Sequence, residues 1–182
     1  MKPDFPPLHL DIKAFAQAVS VLSGQNLLSE YQRLMQETQG LGAENKLSWQ
    51  ARGELRGAVV GSEQVWLHLT VDTCLPLTCQ RCLGLVDITV AVRQSFRFVE
   101  SEQAAQMQDD ESDEDVLALS QDFNLAALIE DEVLMALPLI ARHETCPVAV
   151  KLAVADPGFE TLSTEKRHPF AVLAKLRADK SS

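Results

Sequence analysis

The chain lacks the features that mark the common classes of membrane and nucleic-acid-binding proteins. Its 182 residues contain no apolar run that approaches the roughly 18 residues of a membrane-spanning helix. Only 5% of the residues are aromatic, and 16 Lys and Arg stand against 26 Asp and Glu, which gives a formal net charge of −10. Bulk charge of this sign disfavours a general nucleic-acid binder, although it is compatible with a local basic patch.

An export signal is also missing. The first 15 residues contain early acids and three prolines but no continuous apolar stretch, so they do not resemble a secretory signal peptide. We therefore expect a cytoplasmic protein without a membrane partner. Disulfides are rare in that reducing compartment, and closely spaced cysteines there indicate metal or redox chemistry.

Recognisable catalytic motifs are absent from the sequence. It has no Walker A loop, no GxGxxG, no HExxH and no GxSxG. Its four histidines, at positions 9, 68, 143 and 168, do not cluster along the chain. We therefore expect a non-enzymatic protein and find no small-molecule substrate indicated.

The periodicity of apolar residues predicts an α+β fold in a single domain over residues 1–182. Residues 44–99 alternate apolar and more polar side chains, which is the two-residue period of β-strands. We expect three or more antiparallel strands there, with breaks at Gly61–Ser62 and near Pro76. The resulting sheet is predicted either to stay open or to curl toward a small barrel.

The strongest helical pattern covers residues 124–137. Asn124 is a good N-cap, most of the residues that follow are strong helix formers, and Pro138 ends the pattern. We expect this helix to pack on one face of the sheet. The acidic run Glu130–Glu132 should mark its solvent-exposed face.

Shorter helices are predicted toward both ends of the chain. A helix capped by Asp11 is expected over Asp11–Leu22, and a second over Ser29–Thr38, where two following glycines stop it. Near the C-terminus an irregular segment, residues 155–168, should precede a helix over residues 169–178. Both terminal regions are expected to pack at the edges of the sheet.

Residues 101–116 contain a block of like charge. Six acids occupy the seven positions from 109 to 115. The like charges within such a block repel one another, and blocks of this kind are typical of solvated, mobile loops. We therefore predict a flexible acidic loop within the domain.

Four residues with soft ligand atoms stand in two pairs of equal spacing. Cys79 and Cys82 form a CxxC motif, and His143 and Cys146 form an HxxC motif. Two thiolates at this spacing can share one tetrahedral metal through a tight turn, and Cys3His is a standard structural zinc shell. One zinc ion, buried packing thiols and a redox pair are the three interpretations that stay open. Cys74 lies outside the pairs and is predicted to be a core residue.

Contacts with RNA or a partner protein need exposed basic residues. The following residues are candidates: Arg81 within the CxxC motif, and Lys166, Arg167, Lys175 and Arg177 in a locally basic tail. Arg93 and Arg97 on a predicted strand are further candidates. Phe96 and Phe98 beside them are expected to be core residues rather than platforms for stacking bases.

Three segments of the chain resemble a known family. They are LTCQRCLGLV around Cys79 and Cys82, the run NLAALIEDEVLMALPLIARHETC, and PFAVLAKL near the C-terminus. In sequence, order and spacing they resemble the bacterial YceD family, described as large ribosomal RNA subunit accumulation proteins. The resemblance extends over residues 45–178.

This resemblance implies a non-enzymatic role in the synthesis, processing or stability of the 23S rRNA of the large ribosomal subunit. It implies the large-subunit rRNA precursor, or ribosomal and assembly proteins, as partners, and it supplies no catalytic residue. Some relatives carry additional cysteines after the ALP turn, which fits a shared metal site; His143 and Cys146 occupy that turn here. The alternatives are a zinc-stabilised protein-interaction module without a ribosomal role and a CxxC thiol redox protein.

Overall fold

The computed structural model describes residues 5–57, 63–109 and 111–150 of the chain. Five strands and four short helices lie within these ranges, which confirms the predicted α+β class. No helix in the described ranges is long and apolar enough to span a membrane.

Contacts between residues divide the chain after Cys146. The fold described below is that of the unit that ends at this residue. The prediction of a single domain over residues 1–182 stays a prediction. The predicted irregular segment 155–168 and the predicted helix 169–178 lie outside the described residues.

An open sheet forms the centre of the fold. Its strands are β1 (Val21–Leu27), β2 (Lys46–Arg56), β3 (Gln64–Thr78), β4 (Leu85–Val99) and β5 (Asp115–Ala118), in the spatial order β1-β2-β3-β4-β5. Neighbouring strands from β1 to β4 pair antiparallel, whereas β5 pairs parallel with β4. The sheet does not close, so the open form is correct and the barrel-like form is wrong.

The helices are α1 (Ile12–Gln17), α2 (Gln32–Glu37), α3 (Glu102–Asp109) and α4 (Leu125–Met135). The first of them packs directly on β2: a Cβ atom added at Gly53 would lie 2.8 Å from the carbonyl oxygen of Phe15. Side chains from α1, α4 and the inner positions of the strands form one core, which includes Phe15, Leu67, Phe96 and Ile129. Burial of this apolar surface is the main force that holds the helices to the sheet.

The long predicted helix, residues 124–137, is confirmed as α4. The side chain of Asn124 accepts a hydrogen bond from the backbone N–H of Ala127 at 3.0 Å, as expected of an N-cap. Its buried residues are Leu125, Ile129 and Val133, which lie on one face at helical spacing. The helix ends shortly before Pro138, and the chain then leads into the segment that carries His143 and Cys146.

The acidic run on α4 does not face solvent throughout. The Glu130 side chain is only 12% exposed, because it accepts hydrogen bonds from the backbone N–H of Arg33 at 2.7 Å and from Arg33 Nε at 2.9 Å. Asp131, which is half exposed, pairs with the same guanidinium. The prediction is therefore wrong for Glu130, which satisfies the free N–H groups at the start of α2 and ties that helix to α4.

The two predicted N-terminal helices are wrong in extent. The helix predicted over Asp11–Leu22 ends at Gln17, because Val19 adopts a positive φ of 45° and the following residues join the sheet as β1. The helix predicted over Ser29–Thr38 is divided into a 3-10 turn, Leu28–Glu30, and α2. Pairing of β1 with β2 outweighs the local helical preference of this region.

The break predicted near Pro76 does not occur, since β3 continues to Thr78. Pro76 is paired with Asp87 of β4, and its ring lies against Gly42: a Cβ atom at Gly42 would be 2.8 Å from the proline Cδ. The ring nitrogen therefore faces the side on which β2 no longer pairs with β3, so the strand loses no ladder hydrogen bond.

The acidic loop predicted over residues 101–116 contains regular structure instead, namely α3 and the start of β5. Arg97, whose side chain is largely buried, organises this segment. Its guanidinium donates hydrogen bonds to Gln108 and Ser112 at 2.7 Å each and to Glu114 at 3.2 Å. The helix and strand at the two ends of this segment were not predicted, and the largely buried cation from β4 offsets part of the repulsion within the acidic block. Residues 111–114, between α3 and β5, form neither helix nor strand, and the flexibility of the segment stays a prediction.

The Arg33–Glu130 contact gives a test of how α4 is held in place. We expect Glu130→Ala to lower the free energy of unfolding by about 2 kcal/mol, because it leaves the first N–H groups of α2 and the guanidinium without their acceptor. Asp131→Ala, a change at the neighbouring half-exposed carboxylate, should cost less than about 1 kcal/mol. Urea unfolding followed by circular dichroism measures both variants. Equal losses would contradict the capping role of Glu130.

Candidate metal centre

The tip of the β3–β4 hairpin, residues 79–84, carries the CxxC motif. The backbone N–H of Cys79 donates to the Gly84 carbonyl, and that of Leu83 donates to the Cys79 carbonyl, both at 2.8 Å. Leu83 takes a positive φ of 60° to complete the turn, which is an unfavourable conformation for a branched side chain. The compact turn brings Cys79 and Cys82 to the same end of the sheet.

The segment that follows α4, residues 139–146, lies against this tip. The N–H of Gln80 donates to the Ala141 carbonyl at 2.8 Å, and the N–H of His143 donates to Cys79 Sγ at 3.4 Å. Ala141 and Cys79 are both buried in a small apolar cluster, separate from the main core. Backbone hydrogen bonds and apolar burial therefore join the two segments.

Four side chains converge where the segments meet. The ligand atoms of Cys79, Cys82, His143 and Cys146 all lie within 4.8 Å of one another. Cys79 Sγ is 4.0 Å from Cys146 Sγ, and Cys82 Sγ is 3.4 Å from His143 Nδ1. Ordinary bond lengths at a tetrahedral zinc ion require roughly 3.8 Å between two sulfurs and roughly 3.5 Å between sulfur and nitrogen. The two pairs predicted from the sequence are thus adjacent, and the group could hold a metal ion.

The electrostatics of the cluster favour a cation at its centre. Burial raises the pKa of the Cys79 thiol, but hydrogen bonds from the backbone N–H groups of Cys82, His143 and Arg81 outweigh it and lower the pKa to about 5. Burial, and then the neighbouring Cys82 and Cys79 sulfurs, raise the pKa of Cys146. Adjacent thiols oppose each other's ionisation. A metal ion removes this conflict because it binds the thiolate forms.

Burial of the first cysteine argues against a redox role for the CxxC motif. Cys79 is fully buried, whereas a thiolate that exchanges with a disulfide needs access to its substrate. The motif also lies at a hairpin tip rather than at a helix N-terminus. The four cysteines, all within the described residues, are free thiols.

Cys74 does not belong to the cluster. It lies on β3 and is half-buried, so the prediction of a core position is wrong. Its side chain stands on the sheet face opposite to that of its neighbour Leu75, which is fully buried in the core.

The residues predicted to contact RNA or a partner fall in different places. Arg81 is exposed at the hairpin tip. The basic residues of the tail lie outside the described residues: Lys166, Arg167, Lys175 and Arg177. Arg93 is paired with Asp72 at 2.9 Å, and Arg97 is engaged by the acidic segment. Phe96 and Phe98 are buried, as predicted.

Sequence reasoning missed the contribution of Ala141. Its carbonyl accepts from Gln80 and its side chain is buried against the hairpin tip. A backbone acceptor has no sequence signature, although a small residue two positions before His143 is compatible with close packing. The hydrogen bond shows that the meeting of the two segments depends on more than the four ligand-type side chains.

Comparison with protein families agrees with the sequence. A family model described as Large ribosomal RNA subunit accumulation protein YceD matches residues 67–177. The match covers more than half of the chain, includes all four residues of the cluster, and confirms the resemblance noted from the sequence. No solved structure matches the chain.

The strained turn at the hairpin tip gives a second test. Leu83 is 76% exposed and adopts a positive φ, so Leu83→Gly should raise the free energy of unfolding by about 0.5–1 kcal/mol. Gln80→Gly is the matched control, because Gln80 is an exposed residue of the same turn with an ordinary φ, and the change should destabilise by about 0.5–1 kcal/mol. Urea unfolding at equal protein concentration compares them. A loss of stability in both variants would be inconsistent with the described turn.

Proposed function

Because the chain belongs to the YceD family of large ribosomal RNA subunit accumulation proteins, we propose that it is a non-enzymatic ribosome-biogenesis factor. It supports the synthesis, processing or stability of the 23S rRNA of the large subunit. The family match over residues 67–177 is the observation that carries this proposal. The family description names an accumulation role and no reaction, so no residue is assigned to catalysis.

This function places the protein in the cytoplasm, where it meets the large-subunit rRNA precursor or ribosomal and assembly proteins. Arg81 is an exposed cation at the hairpin tip and is proposed as one contact. The tail supplies further basic residues in the sequence, and these are proposed as contacts on charge alone: Lys166, Arg167, Lys175 and Arg177. Cations of this kind bind RNA phosphates or acidic protein surfaces.

We further propose that one zinc ion joins the two segments of the candidate metal centre. Cys79, Cys82, His143 and Cys146 would provide its four ligands, and a Cys3His set is a standard structural zinc shell. Four protein ligands leave no open position for a substrate, so the ion would act as a cross-link rather than as a catalyst. Its role would be to fix the segment after α4 against the hairpin tip.

A zinc-stabilised interaction module without a ribosomal role is the second candidate function. Apolar side chains around the metal centre favour it, because Leu83, Leu139 and Ile140 are all strongly exposed. Contiguous exposed apolar residues mark protein-binding surfaces, and Leu139 and Ile140 are neighbours in the chain. Both candidate functions include the proposed zinc ion. A measurement of rRNA levels therefore distinguishes them, whereas a measurement of metal content does not.

Metal content tests the zinc proposal. We expect native mass spectrometry of the purified protein to show a mass excess of about one zinc ion per chain, and chelation to lower the unfolding temperature. Cys79→Ser should abolish this excess, because it removes the buried ligand that both segments contact. Cys74→Ser, which removes a thiol outside the cluster, should retain the ion. A metal-free wild-type protein whose unfolding is unaffected by chelators would refute the zinc ion.

Depletion of the protein tests the ribosomal function. We expect the ratio of large-subunit to small-subunit rRNA to fall, with a matching loss of large subunits in a sucrose gradient, because the proposed role is in 23S rRNA accumulation. Re-expression of the wild type or of Cys74→Ser should restore the ratio. An unchanged ratio with a normal subunit profile would count against the ribosomal function, and with zinc still bound it would favour the interaction module.

A further inference from the structure

The lysines and arginines of the five described strands lie on one face of the sheet. The residues are Lys46, Arg52, Arg56, Arg93 and Arg97. Arg52 is directly opposite His68 of β3, which is opposite Ser95 of β4, the residue midway between Arg93 and Arg97. Directly opposed residues of an antiparallel pair share a face, and so do residues separated by an even number of positions. We call the surface that carries these five residues the basic face.

The other face of the same strands holds the core. Gly53, at an intervening position of β2, packs against α1, and Leu67 and Leu69 of β3 are buried. On the basic face, by contrast, the side chains of Arg52 and Arg56 are about half exposed. The sheet therefore carries all of its lysines and arginines on the face opposite to the core, and those of β2 are accessible.

Three acidic residues of the strands also lie on the basic face, Glu54, Asp72 and Asp87, and they neutralise only part of the charge of its five cations. Glu54 Oε1 lies 3.0 Å from Arg56 Nε. The other carboxylate oxygen, Oε2, lies 3.7 Å from Arg52 Nη2 and 2.6 Å from His68 Nε2. Hydrogen bonds from Arg56 first, and then from His68, lower the pKa of Glu54 to about 2, so at neutral pH it carries one negative charge beside two arginines.

The β4 side of the basic face differs, because its cations are paired. Both carboxylate oxygens of Asp72 accept from Arg93 at 2.9 Å, and Arg97 is held by Glu114. Net positive charge therefore remains along β2, where Lys46 is exposed and has no acidic partner among the described residues.

We infer that the β2 row of the basic face, formed by Lys46, Arg52 and Arg56, binds the phosphate backbone of RNA. The choice of RNA as the ligand rests on the proposed function. Ten residues of extended strand separate the ends of the row, which corresponds to about 34 Å, and the two arginines stand about 14 Å apart. A row of this length can contact several phosphates of one RNA strand.

The aromatic residue on this face indicates backbone binding rather than base recognition. Trp66 is only 7% exposed, because the Arg56 guanidinium lies 4.1 Å from its ring centroid and His68 is stacked beside it. A platform for stacking bases needs an exposed ring. Between Lys46 and Arg52 the row carries two uncharged side chains, Ser48 and Gln50, that can donate hydrogen bonds to phosphate and sugar oxygens. Glu54, between the two arginines, is the one carboxylate of the row.

Binding of the full-length protein to a fluorescently labelled transcript of large-subunit rRNA, measured by anisotropy over a series of salt concentrations, tests the inference. Arg52→Gln/Arg56→Gln should raise the Kd about tenfold or more. It should also reduce the slope of log K against log salt by about 1.4, the value for two contacts to a single strand. Circular dichroism verifies that the variant is folded.

Two further variants separate the basic face from bulk charge and from misfolding. Lys13→Gln/Arg142→Gln removes the same charge from exposed positions on α1 and after α4, and its Kd should stay within about twofold of the wild type. Glu54→Gln removes the carboxylate between the arginines, so it should lower the Kd. An unfolded protein could not produce that gain.

The inference would be overturned by a wild type that does not bind the transcript, by an unchanged Kd in Arg52→Gln/Arg56→Gln, or by an equal loss of affinity in the control pair. A basic face that binds a ribosomal protein and not the transcript would also overturn it. The two proposals fail in different experiments. A normal rRNA ratio after depletion would contradict the proposed function without changing the measured RNA affinity. An unchanged Kd in the double variant would contradict the RNA-binding role of the β2 row without changing the result of depletion.

Discussion

The register of the β3–β4 hairpin is the constraint on which the rest of the structure depends. Its pairs run without interruption from Val65–Phe98 to Thr78–Leu85. A shift by one residue would turn every buried side chain of one strand toward solvent, so core burial fixes the register. The same register places the CxxC turn just beyond the last pair, where Gln80 meets the carbonyl of Ala141. The position of two metal-type ligands is thus a consequence of core packing.

The other two ligands depend on a different set of contacts. The segment that carries His143 and Cys146 continues from α4, and that helix is held by its buried stripe and by the bond from Arg33 to Glu130. Sixty residues separate the two ligand pairs along the chain, so a long loop must be closed before they can meet. Here the sheet and α4 close that loop through packing and backbone hydrogen bonds. A metal ion at the site would then stabilise an arrangement that the fold already favours, rather than create it.

Features that depend on neighbours in sequence could be predicted, and features that depend on distant partners could not. The cap of Asn124 and the stop at Pro138 are local, and so is the spacing of each ligand pair. The capping role of Glu130 depends on Arg33, almost 100 residues away, and the order of the acidic segment depends on Arg97 of another strand. The edge strand β1 was missed for the same reason, since its residues show no alternation of apolar and polar side chains and only their pairing with β2 identifies a strand.

Net charge and surface charge are separate properties of this chain. The basic residues of β2 and β4 are dispersed among acids in the sequence, and the formal net charge of −10 gives no indication that they form a surface. They are on one face because Lys46, Arg52 and Arg56 occupy even positions of β2, and because the pairing through His68 aligns those positions with Arg93 and Arg97 of β4. A one-residue change of register between β3 and β4 would place the basic residues of β2 and those of β4 on opposite faces of the sheet. The constraint that buries the core therefore also assembles the basic face, which is why overall acidity does not exclude a phosphate-binding surface.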